Sequence, residues 1–157
     1  MGRDKKNERR NSRFVKLTQH EFELPAWKAL GPYSRLAYVS LKFRCITDGK
    51  YDNNNGNVYR SPRNLAADLG CNEKTASKAL AELQAKGFII CTKPWVKGTS
   101  GKGKSAKFRL TLLPTSDKNR SQGPTREPER WVEGRDYPIL VYASHMPVGH
   151  QVAASDG

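Results

Sequence analysis

The sequence predicts a mainly α-helical fold with a small β-sheet, formed by one domain with polar segments on both sides. Apolar residues recur every three to four positions in residues 33–46 and 62–86, which is the period of a helix. They alternate with polar residues in 107–113, which is the period of a strand. A length of 157 residues suits one compact domain and is too short for a large multi-domain enzyme.

The chain is strongly basic, with 28 Lys and Arg against 15 Asp and Glu and a formal net charge of +13. Residues 91–113 alone contain six basic and no acidic side chains. Such an excess attracts polyanions, because each phosphate that is neutralised releases condensed counterions. We therefore expect a nucleic-acid partner, although the simpler explanation is a charged, solvated surface.

The sequence shows no apolar run of the roughly 18 residues that span a bilayer, no secretory signal and no basic amphipathic helix. We therefore expect no membrane partner and a cytoplasmic, nucleoid-associated location. The three cysteines are far apart and form no CxxC pair, so neither a disulfide framework nor a zinc ribbon is predicted.

The N-terminal part is expected to contain an arm and two short helices. Residues 1–13 hold no large apolar residue except Met1, which predicts a flexible basic arm. Thr18 and Glu21 have the spacing of a capping box, and Pro25 is suited to the first position of a further short helix.

The next helix is predicted over 33–46, with two apolar stripes that favour a buried central position. One stripe is Leu36, Val39, Phe43 and Ile46, and the other is Ala37, Leu41 and Cys45. Residues 48–57 are dense in turn formers and predict a loop.

Two capped helices joined by about three residues are predicted next. Ser61 is a candidate N-cap before Pro62, and Gly70 stands where a left-handed residue ends the first helix. Asn72 is a candidate cap for the second, which stops at Gly87 and includes a supporting Glu82–Lys86 pair. Small or apolar residues fall where two closely crossing helices require them, which is typical of a helix-turn-helix unit. These residues are Leu65, Ala66, Leu69, Cys71, Ala76 and Ala79.

This register leaves the outer, N-terminal part of the second helix free for base edges and phosphates. For Glu73 we expect a role in stabilising the start of the helix ahead of a base contact. Asn72 is expected to act mainly as a cap. Trp95 is expected to pack under the hairpin rather than to stack on a base. The full set of predicted DNA-binding residues is Arg63, Asn72, Glu73, Lys74, Thr75, Ser77, Lys78, Lys93, Lys97, Lys102, Lys104 and Lys107.

A β-hairpin is predicted from Phe88 to Leu113 with a Gly/Lys-rich tip, and Val58–Tyr59 is a candidate third strand. The tip also matches GxxxxGK[ST] from Gly98 to Ser105. A phosphate-binding loop needs a helix after this motif, whereas the alternating KFRLTLL predicts a strand, so nucleotide hydrolysis is disfavoured. No catalytic or metal-binding set is recognisable, and we expect neither an enzyme nor a cofactor.

Residues 114–157 are predicted to be a linker and a mostly disordered tail. The apolar patch at 138–150 is a candidate docking segment, either for the domain itself or for a partner protein.

Residues 14–113 resemble the bacterial winged helix-turn-helix domains of plasmid and phage replication initiators and related transcriptional regulators. The resemblance is carried by FVKL (14–17), PAWKAL (25–30), SRLAYVSLKFR (34–44), NNGNVYRS (54–61), NLAADLGCNEKTASKALAELQAKGFI (64–89) and KFRLTLL (107–113). It implies a three-helix core, a helix near 73–86 in the major groove and a β-hairpin wing near 93–107.

The residues and the resemblance together predict a sequence-specific double-stranded DNA-binding protein of a bacterium or mobile element, acting in transcription regulation or replication initiation. A homodimer and a protein partner for the tail are further expectations. The alternative is a winged-helix adaptor for protein interactions whose DNA contact is incidental. RNA binding is weaker, because no exposed aromatic pair suited to base stacking is recognisable.

Overall fold

The structure, a computed structural model, describes residues 14–47, 53–96, 103–117 and 120–140. The chain order of helices and strands in these ranges is α1 (Gln19–Glu23), α2 (Pro25–Lys28), α3 (Pro32–Arg44), β1 (Val58–Tyr59), α4 (Pro62–Leu69), α5 (Glu73–Ala85), β2 (Ile89–Lys93), β3 (Lys107–Leu110), β4 (Thr115–Asp117), β5 (Arg120–Gln122) and α6 (Glu127–Arg130). The fold is a winged helix: helices α3, α4 and α5 pack together, and β1, β3 and β2 form an antiparallel sheet in that order. The predicted basic arm at 1–13 lies outside the described residues.

The core joins the helices to the sheet through aromatic rings. Tyr38 of α3 lies between Trp27 and Phe88, with ring centroids 6.0 and 5.2 Å away. Edge-to-face contacts at such distances contribute about 0.5–1.5 kcal/mol beyond the area that the rings bury. Phe108 and Leu110 of β3 are buried against the same cluster, because alternate residues of a strand point to one face.

The N-terminal segment is attached to α3 by a buried ion pair. The predicted capping box of Thr18 and Glu21 is present. The Lys42 ammonium donates to Glu21 Oε1 at 2.8 Å and to the Lys16 carbonyl at 2.7 Å. Burial raises the pKa of Glu21, but hydrogen bonds from Lys42 and Thr18 outweigh it and hold that pKa below its usual value.

The prediction of two buried stripes on α3 is half right. Ala37, Leu41 and Cys45 are buried, whereas Leu36 is 51% exposed and Phe43 is 40% exposed. The core partners of α3 lie on one side only, so the second stripe faces away from them.

Asn55 is a structural residue inside the loop of turn formers. Its amide donates to the carbonyls of Leu110, Leu113 and Pro114, and its Oδ1 accepts from the Leu110 N–H at 2.7 Å. This buried amide ties the loop to the end of β3, which stops at Leu110 instead of continuing to the predicted Leu113.

Residues 125–140, which we call the C-terminal hook, pack on the domain, although the sequence predicts a linker up to the candidate docking segment that begins at Pro138. Trp131 is 7% exposed and belongs to the core. The Tyr137 N–H donates to the Ala85 carbonyl at 2.8 Å, and the Leu140 N–H donates to Gln84 Oε1 at 2.9 Å. Burial of Trp131 and these bonds to α5 hold the hook on the domain, and residues 141–157 lie outside the described part of the chain.

Candidate nucleic-acid interface

The helix-turn-helix unit is made by α4 and α5, and the predicted caps define both ends of the turn. Ser61 accepts a hydrogen bond from the Asn64 N–H, and Gly70 has φ 67°, the left-handed conformation that suits glycine. The Asn72 side chain accepts from the Thr75 N–H at 2.8 Å. Asn72 therefore has the capping role that its position predicted.

Small residues let the two helices cross closely. Ala66, Ala76 and Ala79 are at most 5% exposed and lie in the seam. Cys71, expected to be buried, is only half-buried at the turn. A larger side chain in the seam would push the helices apart, because packed interiors tolerate little added volume.

The N-terminal part of α5 presents most of its predicted contact residues to solvent. Glu73, Lys74, Ser77 and Lys78 are exposed, and Thr75 is half-buried. Residues 74, 77 and 78 share one face because they are three and four positions apart. The prediction that α5 offers a polar outer face at this end agrees with these positions.

The hairpin of β2 and β3 stands beside α5 as the wing. Beyond the strands, Val96 and Lys104 exchange two backbone hydrogen bonds, of 3.1 and 2.9 Å, which keep the two arms together. Lys93 and Lys104 are exposed, and Lys107 is half-buried. The predicted contact residues Lys97 and Lys102 lie outside the described residues.

Trp95 is half-buried at the wing, next to the opposite arm of the hairpin. A Cβ atom on Gly103 would lie 3.3 Å from the indole ring and 3.1 Å from the Val96 carbonyl oxygen. The absence of a side chain at Gly103 therefore lets the indole lie close to this arm, in agreement with the predicted packing role.

Among the described residues, six basic side chains of the helix-turn-helix and the wing lack the acidic partners that several other basic residues have. We call the following residues the lysine surface: Arg63, Lys74, Lys78, Lys93, Lys104 and Lys107. None of them forms an ion pair within the described ranges. The positive charge of the lysine surface is therefore available to an anionic partner.

Several basic residues elsewhere are held by acids. Arg60 contacts Asp68 at 2.6 Å, and Lys86 contacts Asp136 at 2.8 Å. The Arg60 hydrogen bond holds the pKa of Asp68 below its usual value, so this acid keeps its charge beside Arg60. The predicted Glu82–Lys86 pair is wrong, because Glu82 accepts from the Gly31 N–H and Lys86 reaches Asp136 instead. Arg109, expected on the basic wing, donates to Thr125 of the hook.

A cleft of about 330 Å³ joins the helix-turn-helix to the wing. Its polar rim includes Arg63, Glu73 and Ser77, which places predicted contact residues from α4 and α5 around one opening. Its walls are mainly apolar: Pro62, Leu80, Ala81, Trp95, Ala106 and Phe108. Sequence reasoning missed this cleft, because its walls come from segments far apart in the chain.

The described residues that could take part in chemistry are the thiols, the acidic groups and the end of the phosphate-loop motif. Burial raises the pKa of the Cys45 and Cys91 thiols to about 11, so both are protonated and poor nucleophiles near neutral pH. Across the described ranges, no group of three or more His, Cys, Asp or Glu is placed to hold a metal ion. After the Gly98–Ser105 motif the chain enters strand β3, so the helix that a phosphate-binding loop requires is missing there.

Comparison with known families supports this interpretation of α4 and α5. Residues 49–89 match the family model described as a helix-turn-helix domain. The match covers β1, α4, α5 and the beginning of β2, and it supports DNA binding in general.

A solved structure described as "Structure of MDR initiator" is similar to this chain, with 25% sequence identity and a TM-score of 0.45. The similarity covers 72% of this chain and 87% of that one. A comparison with curated proteins gives no match. No helix in the described ranges is long and apolar enough to cross a membrane.

Proposed function

We propose that this protein binds double-stranded DNA sequence-specifically, with the N-terminal part of α5 in the major groove and the wing on the adjacent backbone. The observation that carries this proposal is the lysine surface, which is unpaired within the described residues, whereas Arg60 before α4 and Lys86 after α5 have acidic partners. The major groove is about 12 Å wide and admits a helix, so the exposed end of α5 can approach base edges there.

Within this proposal the contact residues have two tasks. Ser77 and Thr75 touch base edges, because hydroxyls donate and accept hydrogen bonds. Lys74, Lys78 and the wing lysines contact phosphates, which fixes position and supplies salt-dependent affinity. The arm residues Arg9, Arg10 and Arg13 extend the contact into a neighbouring groove.

The biological role that we propose is that of a bacterial or mobile-element regulator or replication-initiator-like protein, the role implied by the sequence resemblance. The protein acts through binding and catalyses no reaction. A homodimer would bind two half-sites about 10 base pairs, or a multiple of that, apart.

Selection of binding sites from a random pool of DNA duplexes tests the specificity. We expect one enriched motif, with the full chain binding it at least tenfold more tightly than a scrambled duplex or structured RNA at one ionic strength. Equal affinity for all duplexes would contradict specificity. Absence of salt-dependent DNA binding would favour the adaptor function instead.

A further inference from the structure

The C-terminal hook runs along α5 toward the N-terminal end of this helix. Asp136 contacts Lys86, Tyr137 bonds to Ala85, and Leu140 bonds to Gln84. The hook therefore moves from the C-terminal end of α5 toward its N-terminus. Leu140, the last described residue, lines the cleft between α5 and the wing.

We propose that the next residues, Val141 to His145, occupy this cleft and compete with DNA for it. The competition with DNA rests on the proposed function. The choice of this segment as the occupant rests on the position of Leu140. A chain that leaves Leu140 already stands at the opening, so no second molecule has to be brought there. Binding within one chain has a high effective concentration when the connection is this short.

The dimensions of the cleft fit the segment. Gln84 and Ser77 are seven positions apart on α5, which corresponds to about 10 Å of helix at 1.5 Å per residue. An extended chain advances about 3.3 Å per residue, so three residues after Leu140 reach Ser77 and five reach Glu73. A volume of about 330 Å³ accommodates the side chains of Val141 and Tyr142.

The chemistry also fits. Leu80 is 7% exposed, and Phe108, at 2%, and Trp95 add aromatic surface to the walls. Residues 141–150 contain no Lys, Arg, Asp or Glu, so the segment brings no charge that would have to be desolvated. Burial of Val141 and Tyr142 is favourable, and the phenol of Tyr142 can remain near the polar rim.

Occupancy of the cleft has a direct consequence for DNA binding. Glu73 and Ser77 form part of the rim, and Ser77 is also a proposed base contact. The segment and a duplex cannot both contact Ser77, so DNA binds only to the fraction of molecules with an empty cleft. Apparent affinity falls in proportion to that fraction.

The test compares the full chain with V141S/Y142S, which removes the apolar side chains without a change in charge. The matched control is V148S/V152S, which removes two apolar side chains farther along the same tail. If the segment fills the cleft in about nine tenths of the molecules, V141S/Y142S binds duplex DNA about tenfold more tightly and the control binds like the parent. Equal affinity of all three proteins overturns the proposal.

A second readout does not depend on DNA. Benzoylphenylalanine replaces Tyr142 in the full chain, and the photo-crosslinked peptides are mapped. Crosslinks to Leu80, Trp95 or neighbouring cleft residues support the proposal, whereas none at these positions overturns it. Crosslinks in the cleft together with no DNA binding by any variant would leave the docking intact and contradict the proposed function alone.

Discussion

The two ends of helix α5 carry similar basic residues, but these residues differ in their partners. At its N-terminal end, Lys74 and Lys78 of the lysine surface have no acidic partner among the described residues. At its C-terminal end, Lys86 contacts Asp136 and lies 4.6 Å from the centre of the Trp131 ring. The charge of Lys74 and Lys78 is thus available to an external anion, whereas the charge of Lys86 stabilises the contact with the C-terminal hook.

Under the proposed function, this difference separates stability from binding along one helix. A like-charge pair four positions apart weakens a helix by a few tenths of a kcal/mol, so Lys74 and Lys78 lower stability slightly. Lys86 is satisfied by a carboxylate and an aromatic face. We therefore expect substitutions in the lysine surface to change DNA affinity, and substitutions in the hook to change the free energy of unfolding.

The largest effect is expected for Trp131→Ala, which empties a core position. Loss of a buried tryptophan costs about 3–5 kcal/mol of unfolding free energy, measured by urea denaturation. Val132→Ala is the control, because Val132 is 51% exposed and its truncation should change stability by less than about 0.5 kcal/mol. Equal effects of the two substitutions would show that the hook does not belong to the core.

The wing is the next test. Lys93→Ala/Lys104→Ala should weaken binding to all duplexes about tenfold and reduce the slope of log affinity against log salt by about two. The unfolding midpoint should stay within experimental error, because both side chains are exposed. A loss restricted to one DNA sequence would mean that these lysines read bases instead of phosphates.

Asp136→Asn tests the paired end of α5. Burial raises the pKa of Asp136, but hydrogen bonds from Lys86 and Trp131 lower it overall. The ionised carboxylate therefore stabilises the fold above its unfolded-state pKa, and this contribution is lost as pH falls through the folded-state pKa. We expect a loss of about 1 kcal/mol or less at pH 7 that shrinks with acidification, because Asp136 is half exposed. The free energy of unfolding of the parent and the variant is measured from pH 7 to pH 3. A difference between them that does not change with pH would contradict the ion pair.

The smallest effect is expected for Ser77→Ala. Loss of one hydroxyl contact should change the ratio of affinities for two related sites several-fold, with little change in salt dependence. Binding-site selection with the parent and the variant measures this preference. A uniform loss over all sites would argue against base readout by Ser77.

The sequence predicts the helix-turn-helix well, because the signals that define it are local. Ser61, Gly70 and Asn72 have the predicted positions at the helix ends, since caps depend on neighbouring residues. The face of α5 that contains Lys74 and Lys78 follows from helical periodicity, and both residues are exposed as expected.

Features that depend on distant segments are missed. Trp131 lies in a stretch that resembles a linker, and its burial against the core has no local sign. Asn55 looks like a turn former, but its partners are carbonyls more than 50 residues away. The exposure of Leu36 depends on which side of α3 the other helices occupy, and periodicity does not specify this.

The central claim is that the unpaired charge of α5 binds DNA. Its most direct test is fluorescence anisotropy of a labelled duplex with the full chain and Lys74→Ala/Lys78→Ala, at about 50 and 200 mM salt. Lys16→Ala/Lys28→Ala is the matched control, because it removes the same charge from exposed positions outside the lysine surface. We predict a roughly ten- to hundredfold loss and a salt slope lower by about two for the first variant, with a much smaller loss for the control. Equal losses for both variants, or no binding by the parent chain at either salt concentration, would contradict the claim.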